Sequence, residues 1–113
     1  MNKVSFEEIG SLLVTFYAAE GVKAGEVVKV SSNGTVAPCD EDDLFCGVAV
    51  SCEDGVAGVQ VDGFARVPVT LPMSVGRTYL TADGEGGVQQ AEAGVSALVV
   101  DVDTTEKTAV ICL

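Results

Sequence analysis

The chain has 113 residues and a net charge of −11, from 17 acidic and six basic side chains. Nucleic acids and anionic membranes bind basic surfaces, so this charge balance argues against both as direct partners. Hydrophobic residues make up 48% of the chain and aromatic residues only 5%, without tryptophan. We therefore expect one domain with a core of Val, Ala, Leu and Ile.

The N-terminal ten residues differ in pattern from the rest of the chain. Residues 1–10 are polar and predict either an N-terminal arm or one helical turn capped by Ser5, with Glu8 completing a capping box. Residues 11–113 predict a single β domain, because apolar residues recur in short runs between glycine-containing turns. The predicted strands follow one another at 12–18, 26–31, 35–38, 45–52, 58–69, 77–81, 88–90, 96–103 and 108–113.

Turn residues define the hairpins between these strands. Asn33-Gly34 is typical of a type I′ turn, because both residues tolerate a positive φ. Asp54-Gly55 and the glycine-rich segment 83–87 mark further turns. No stretch keeps a 3.6-residue apolar period over three turns, so we expect at most one short helix. The predicted fold is all-β, a small β-barrel or β-tulip-like domain of short antiparallel strands.

Alternation of apolar and polar residues is clearest at 58–69. Val59, Val61, Ala65, Val67 and Val69 would share one face, whereas the opposite face would carry Gln60, Asp62, Phe64 and Arg66. Gly63 interrupts the apolar face, and a bulge or sharp bend there would let one strand serve two parts of a curled sheet. A similar alternation would place Cys46, Val48, Val50 and Cys52 on one face of the strand at 45–52.

A faint internal repeat joins two parts of the chain. The two parts are residues 24–48 and 75–95. Each begins with a glycine and a strand, followed by an x-Gly turn and a second strand. An acidic loop and a Gly-Val strand come next. Duplicated hairpins in a pseudo-symmetric barrel would produce this pattern. The similar composition of valine-rich hairpins would produce it as well, so the sequence leaves both explanations open.

Catalytic chemistry is poorly supported by the residues present. The chain contains no histidine, which removes the commonest general base and the commonest metal ligand. The four cysteines form no CxxC pair, and we expect reduced thiols that act mainly as small buried hydrophobes. A disulfide from Cys39 to Cys46 or Cys52 remains the alternative. We predict no enzymatic activity and no cofactor.

Two further features could have a function, but their residues support it only weakly. The acidic loop Asp40-Glu-Asp-Asp43 could offer carboxylates to calcium, but it lacks the alternating ligand spacing of a known calcium loop. A solvated acidic turn is the favoured interpretation. Lys107 lies between two predicted strands, as the modified lysine of a lipoyl or biotinyl carrier domain does. Its position near the end of this sequence and its flanking residues do not match those domains.

Several short Gly-Val elements resemble a family of small phage and prophage capsid decoration proteins, also called cement or head-stabilising proteins. The resemblance covers about residues 21–113, with Glu26 in place of the usual Asp and Arg77 in place of a small or acidic residue. The elements that carry it are VKAGEVVKV at 22–30, Asn33-Gly34, FCGVAV at 45–50, GVQVDGFARVP at 58–68, Val75-Gly76, Tyr79-Leu80 and Ala82-Asp83-Gly84.

The resemblance implies a structural virion protein that binds the outer surface of a phage or prophage capsid and stabilises the head lattice. The implied partner is the major capsid protein, and the implied assembly is a homotrimer. The protein would be made in the cytoplasm of the bacterial host and would end on the capsid exterior. We expect the arm and exposed aromatic residues to form contacts. The candidate interface residues are Phe6, Phe16, Tyr17, Phe64 and Arg66.

Two alternative functions remain open at this point. One is another phage structural β-domain, such as a tail or fibre component, because its sequence would need no catalytic groups either. The other is a lipoyl- or biotinyl-like carrier barrel with Lys107 as its modified residue.

Overall fold

The computed structural model describes residues 11–113, so the predicted arm and Phe6 lie outside the described residues. The prediction of an all-β fold is confirmed, and no helix occurs within 11–113. The ten strands are β1 (Leu12–Ala18), β2 (Val27–Ser32), β3 (Thr35–Pro38), β4 (Gly47–Glu53), β5 (Val56–Asp62), β6 (Phe64–Pro68), β7 (Gly76–Ala82), β8 (Val88–Ala91), β9 (Val95–Asp103) and β10 (Thr108–Cys112).

The first five strands form a closed barrel in the order β1-β3-β2-β4-β5. All neighbours are antiparallel except β1 and β3, which pair in parallel at Tyr17 with Thr35 and at Ala18 with Val36. The other five strands form a sheet in the order β6-β10-β9-β7-β8. We call residues 11–62 the first half and residues 64–113 the second half.

The two halves have the same topology, which favours the duplication over the compositional explanation of the internal repeat. Each strand of the first half corresponds to the strand five places later, and the parallel contact between β1 and β3 corresponds to a parallel bridge between Val69 and Val88. The bulge at Val50 in β4 corresponds to the one at Val100 in β9. The amide of Ala18 donates to Gly55, and Val69 likewise donates to Lys107.

Gly63 forms the corner between the halves. It has a φ of 89°, and the predicted strand at 58–69 is broken there into β5 of the barrel and β6 of the second sheet. The predicted bend is therefore confirmed, whereas the uninterrupted strand is not observed. The amide of Leu113 donates to the carbonyl of Gly63 at 2.8 Å, which fixes the end of β10 at the corner.

The predicted face of the fourth strand was wrong. Val48 is buried, but Val50 and Cys52 are exposed. The reason is the bulge between Ala49 and Ser51, which inserts Val50 as an extra residue and shifts the alternation.

Two apolar clusters stabilise the fold. The first fills the barrel and contains Val28, Val36, Ala49, Ala57 and Val59. The second covers one face of the second sheet. It is completed by four buried residues of the first half, which are Val27, Cys39, Phe45 and Val48. The first half thus supplies part of the core of the second half.

The acidic loop 39–44 also joins the halves. The amide of Asp42 donates to the carbonyl of Ala82, and the amide of Ala82 donates to Asp43, both at 2.9 Å. The side chain of Gln89 donates to the Asp42 carboxylate at 3.0 Å. This loop is therefore a structured connection between the barrel and β7, and the prediction of a solvated turn describes only part of it.

Candidate interaction surfaces

An open seam runs along one side of the barrel. β1 pairs with β5 along its whole length but with β3 only at Tyr17 and Ala18. On the side facing β3, residues 12–16 have no strand partner among the described residues. Unpaired strand edges present free amides and carbonyls to other chains. Within residues 11–113, the seam is therefore an unpaired strand edge to which a further strand could be added.

Apolar side chains surround the seam. Leu12 and Val14 on β1 are 54% and 36% exposed, and Val30 on β2 is 54% exposed. By the register of the repeat, Val14 corresponds to Ala65 and Val30 to Ala82, which are only 6% and 0% exposed. Interior positions that are buried in the second half are thus exposed to solvent in the first half.

A shallow open groove of about 350 Å³ lies where the halves meet. Its walls include Val48, Val50 and Gln60 from the barrel and Phe64 and Arg66 from β6. Gln60 is buried, and its amide donates to the carbonyls of Asp62 at 3.1 Å and of Phe64 at 2.8 Å. The groove therefore has a rigid floor, because this side chain ties together the two strands that meet at Gly63.

The predicted interface residues fall in different places. Phe64 and Arg66 lie together on the groove, with Phe64 half-buried and Arg66 exposed. Phe16 is half-buried against the barrel core. Tyr17 is 69% exposed and lies on the outside of the barrel near Gly34.

Sequence reasoning missed the seam residues Leu12, Val14 and Val30. A signal was available in β1, whose sequence LLVTFYA is apolar on both faces although one face of a barrel strand normally meets solvent. The exposure of Val30 had no such signal, because it depends on how far β1 extends past β3.

Lys29 and the acidic loop form the main polar cluster on the barrel. The ammonium group of Lys29 lies 2.5 Å from the Asp43 carboxylate and 3.6 Å from that of Asp40. The hydrogen bond to Asp43 raises the pKa of Lys29 and lowers the pKa of Asp43. The amide of Asp40 also donates to the Asp43 carboxylate at 2.8 Å, which stabilises its charged form. These contacts hold the acidic loop against β2.

The four thiols are free, and no disulfide forms between Cys39 and either of its predicted partners. Cys39 is buried, Cys46 and Cys112 are half-buried, and Cys52 is exposed. Burial, with the nearby negative charge of Asp43, raises the pKa of Cys39 to about 11. Burial also raises the pKa of Cys46. Both thiols are therefore poor nucleophiles, because the thiolate is the reactive form.

Other predicted chemistry can be placed as well. Within residues 11–113, no group of three or more acidic or cysteine side chains is arranged to hold a metal ion. Lys107 is exposed in the turn between β9 and β10, with a φ of 56°. The same described part of the chain has no helix that is long and apolar enough to cross a membrane.

Comparison with models of known protein families and with curated protein sequences finds no match to this chain.

Proposed function

We propose that this protein is a structural virion component that binds the outer surface of a phage or prophage capsid and stabilises the head lattice. Its partner would be the major capsid protein, with several copies acting together, as a homotrimer, on the capsid exterior. The proposed role uses no catalytic group and no cofactor.

The observation that carries the proposal is the combination of a rigid double β unit with the apolar open seam. A protein that clamps neighbouring subunits must transmit force without deforming, and a barrel that supplies part of the close-packed core of the second sheet meets this requirement. It must also present apolar surface in a chain that is otherwise strongly charged, and Leu12, Val14 and Val30 provide such a surface.

The positions of the resembling elements support the proposal further. Segment 22–30 covers the turn into β2 and most of β2, 45–50 leads into β4, and 58–68 spans the corner at Gly63. Tyr79-Leu80 lies in β7. The short Gly-Val elements therefore coincide with the strands and bends that build the fold.

The test is co-sedimentation with heads of the phage or prophage whose genome carries this gene, prepared without the protein. We expect saturable binding with a fixed number of copies per capsid subunit and a higher temperature of head rupture. Bovine serum albumin, added in place of the protein, should not co-sediment with the heads. Heads already saturated with the protein should bind no more of it. Absence of binding to both unexpanded and expanded heads would remove the proposal.

A further inference from the structure

The packing of the first half against the second half indicates what the open seam can bind. In the second half, the gap between β6 and the β7–β8 hairpin is filled by the first half. Val27, Phe45 and Val48 enter the second core there, and all three are almost fully buried. The amide of Val27 donates to Gly86 at 3.0 Å, and Ala82 exchanges backbone hydrogen bonds with the acidic loop.

The equivalent gap in the first half is the open seam, and no part of the chain within 11–113 fills it. Val14 and Val30 take the positions that Ala65 and Ala82 hold in the second half, and both are larger and more exposed than their counterparts. A surface that stays in contact with solvent would be expected to carry small or polar side chains. The first half instead has larger, exposed valines where the second half has buried alanines. The surface therefore suits a partner shaped like the face that fills the second half.

The second half itself carries the counterpart of that filling face. Val48 in β4 corresponds to Leu98 in β9. Val27 in β2 corresponds to Tyr79 by the register with the hairpin partner, and to Arg77, two residues earlier on the same face of β7, by the register with β4 and β9. Tyr79 is 49% exposed and Leu98 is half-buried. We call the surface around these two residues the Tyr79 face.

We propose that the open seam of one copy binds the Tyr79 face of a second copy, so that molecules associate head to tail. The contact between copies would repeat the contact between halves within one chain. Charge favours this pairing, because Arg77 lies beside Leu98 on the Tyr79 face and Asp62 lies beside Leu12 at the seam. This inference deepens the proposed function, since it supplies the contact by which neighbouring copies on a lattice would hold one another.

The association is expected to be weaker than the packing within the chain. The loop between β8 and β9 covers only 92–94, whereas the loop that carries Phe45 covers 39–46. No residue of the short loop takes the place of Phe45. The contact would therefore form at high concentration in solution and more completely on a lattice, where neighbours are held close together.

Cross-linking between two introduced cysteines tests the pairing directly. All proteins carry Cys52→Ser, which removes the exposed thiol. One preparation adds Val30→Cys and a second, isotope-labelled one adds Tyr79→Cys. After mixing at high concentration and mild oxidation, we expect mass spectrometry to find disulfides between positions 30 and 79 of different copies in clear excess over 30–30 and 79–79 pairs.

Two controls decide the outcome of this experiment. Val56→Cys replaces Val30→Cys as the matched control, because Val56 is also an exposed strand valine, at 38%, but lies on β5, across β1 from the side that faces β3. Excess of 30–30 or 79–79 pairs would indicate a two-fold contact and overturn the head-to-tail arrangement. Cross-linking from position 30 no greater than from position 56 would overturn it as well.

Sedimentation equilibrium gives an independent measurement on the full chain without heads. Val30→Asp should weaken self-association at least about tenfold, because a charge would be buried in an apolar contact, whereas Val56→Asp should change it little. Equal effects of the two variants would contradict the proposal. Head binding is measured separately, so an unsubstituted chain that shows no self-association but still binds heads would refute this contact and leave the proposed function standing.

Discussion

The guanidinium of Arg66 and the carboxylate of Asp101 meet above Val110. These three residues lie in one row across β6, β10 and β9. Arg66 is 3.5 Å from Asp101 and donates to the hydroxyl of Thr108 at 3.0 Å. Val110 faces away from the core of the second sheet, yet it is only 1% exposed. The two charged side chains thus cover an apolar residue on the outer face.

Arg66 should stabilise the protein mainly by covering Val110 and only slightly through its charge. The side chains of Arg66 and Asp101 are 42% and 55% exposed, so the ion pair itself should contribute less than about 0.5 kcal/mol. Arg66→Ala should lower the free energy of unfolding by about 1 kcal/mol, because the aliphatic stem over Val110 is lost too. Urea unfolding measures both effects.

Matched variants separate charge from coverage. Arg66→Met keeps an apolar stem and should cost less than Arg66→Ala, and Asp101→Asn should cost little at low salt and nothing at high salt. An Asp101→Asn effect as large as that of Arg66→Ala would show that the charge, and not the stem, protects the strand.

The turn at Lys107 should gain stability from glycine. Lys107 has a φ of 56° and corresponds to Gly55, whose φ is 76°. A left-handed backbone costs a non-glycine residue about 1–2 kcal/mol, and glycine adds an entropic cost of about 0.5–1 kcal/mol. Lys107→Gly should therefore stabilise the protein by about 0.5–1 kcal/mol, measured by thermal or urea unfolding. Gly55→Ala is the reverse control and should destabilise it.

Gly47 should be far less tolerant of a side chain than Gly25. A Cβ at Gly47 would overlap the carbonyl oxygen of Gln60 and lie 2.9 Å from a Val59 methyl group. Gly47→Ala should cost about 3 kcal/mol, because backbone of β5 would have to move. At Gly25 a Cβ would meet nothing within 4 Å, but the φ of 89° is unfavourable, so Gly25→Ala should cost about 1 kcal/mol. Similar urea midpoints for the two variants would contradict the overlap at Gly47.

The Lys29–Asp43 pair should make stability depend on pH at both extremes. Because the pKa of Asp43 is lowered from 3.8, its contribution is present above pH 3.8 and is lost as the pH falls through the lower folded pKa. Because the pKa of Lys29 is raised from 10.5, its contribution is present below pH 10.5 and is lost as the pH rises through the higher folded pKa.

Asp43→Asn tests this dependence by comparing Tm with that of the wild type across pH. The variant should melt at a lower temperature around neutral pH, and the difference should shrink in strong acid and in strong base. Asp40→Asn is the matched control with a smaller effect, because the Asp40 side chain is 91% exposed and 3.6 Å from Lys29. A difference that stays constant down to strong acid would exclude the pair as its source.

The cysteines should react with thiol reagents in the order of their exposure. Cys52 is exposed, whereas Cys39 is buried with its pKa raised to about 11. At mildly alkaline pH, Cys52 should be labelled first and Cys39 last. Peptide mass spectrometry after timed labelling measures the order, and urea should abolish the difference. Early labelling of Cys39 in the native protein would contradict its burial.

The sequence predicted the strands well because their signals are local. Asn33-Gly34 and Asp54-Gly55 specify turns through their own backbone preferences, and valine-rich runs between them leave little choice but strands. Gly63 was also recognisable, because a glycine on an apolar strand face indicates a bend. The bulge at Val50 was not predictable, since it depends on the pairing with β5. It changes which residues of β4 face the core without any change in the composition of the strand.

The candidate surface was harder to predict than the fold. Exposure of Val14 and Val30 results from the limited pairing between β1 and β3, which are separated in sequence by a strand and two turns. The aromatic residues that drew attention in the sequence proved less informative, because Phe16 packs against the barrel core and Phe64 lines the groove beside Gln60. Surface apolar valines are indistinguishable from core valines until the register is known.

The separation of the pairings into two halves has a consequence for folding during synthesis. Every strand pair joins strands within 11–62 or within 64–113, so the barrel can close before the ribosome has released β6. The second sheet then grows onto a surface that already presents Val27 and Val48. A nascent chain stalled with β5 outside the ribosome and β6 still in the exit tunnel should therefore resist proteolysis through its barrel, while one stalled with β5 still in the tunnel should be digested completely.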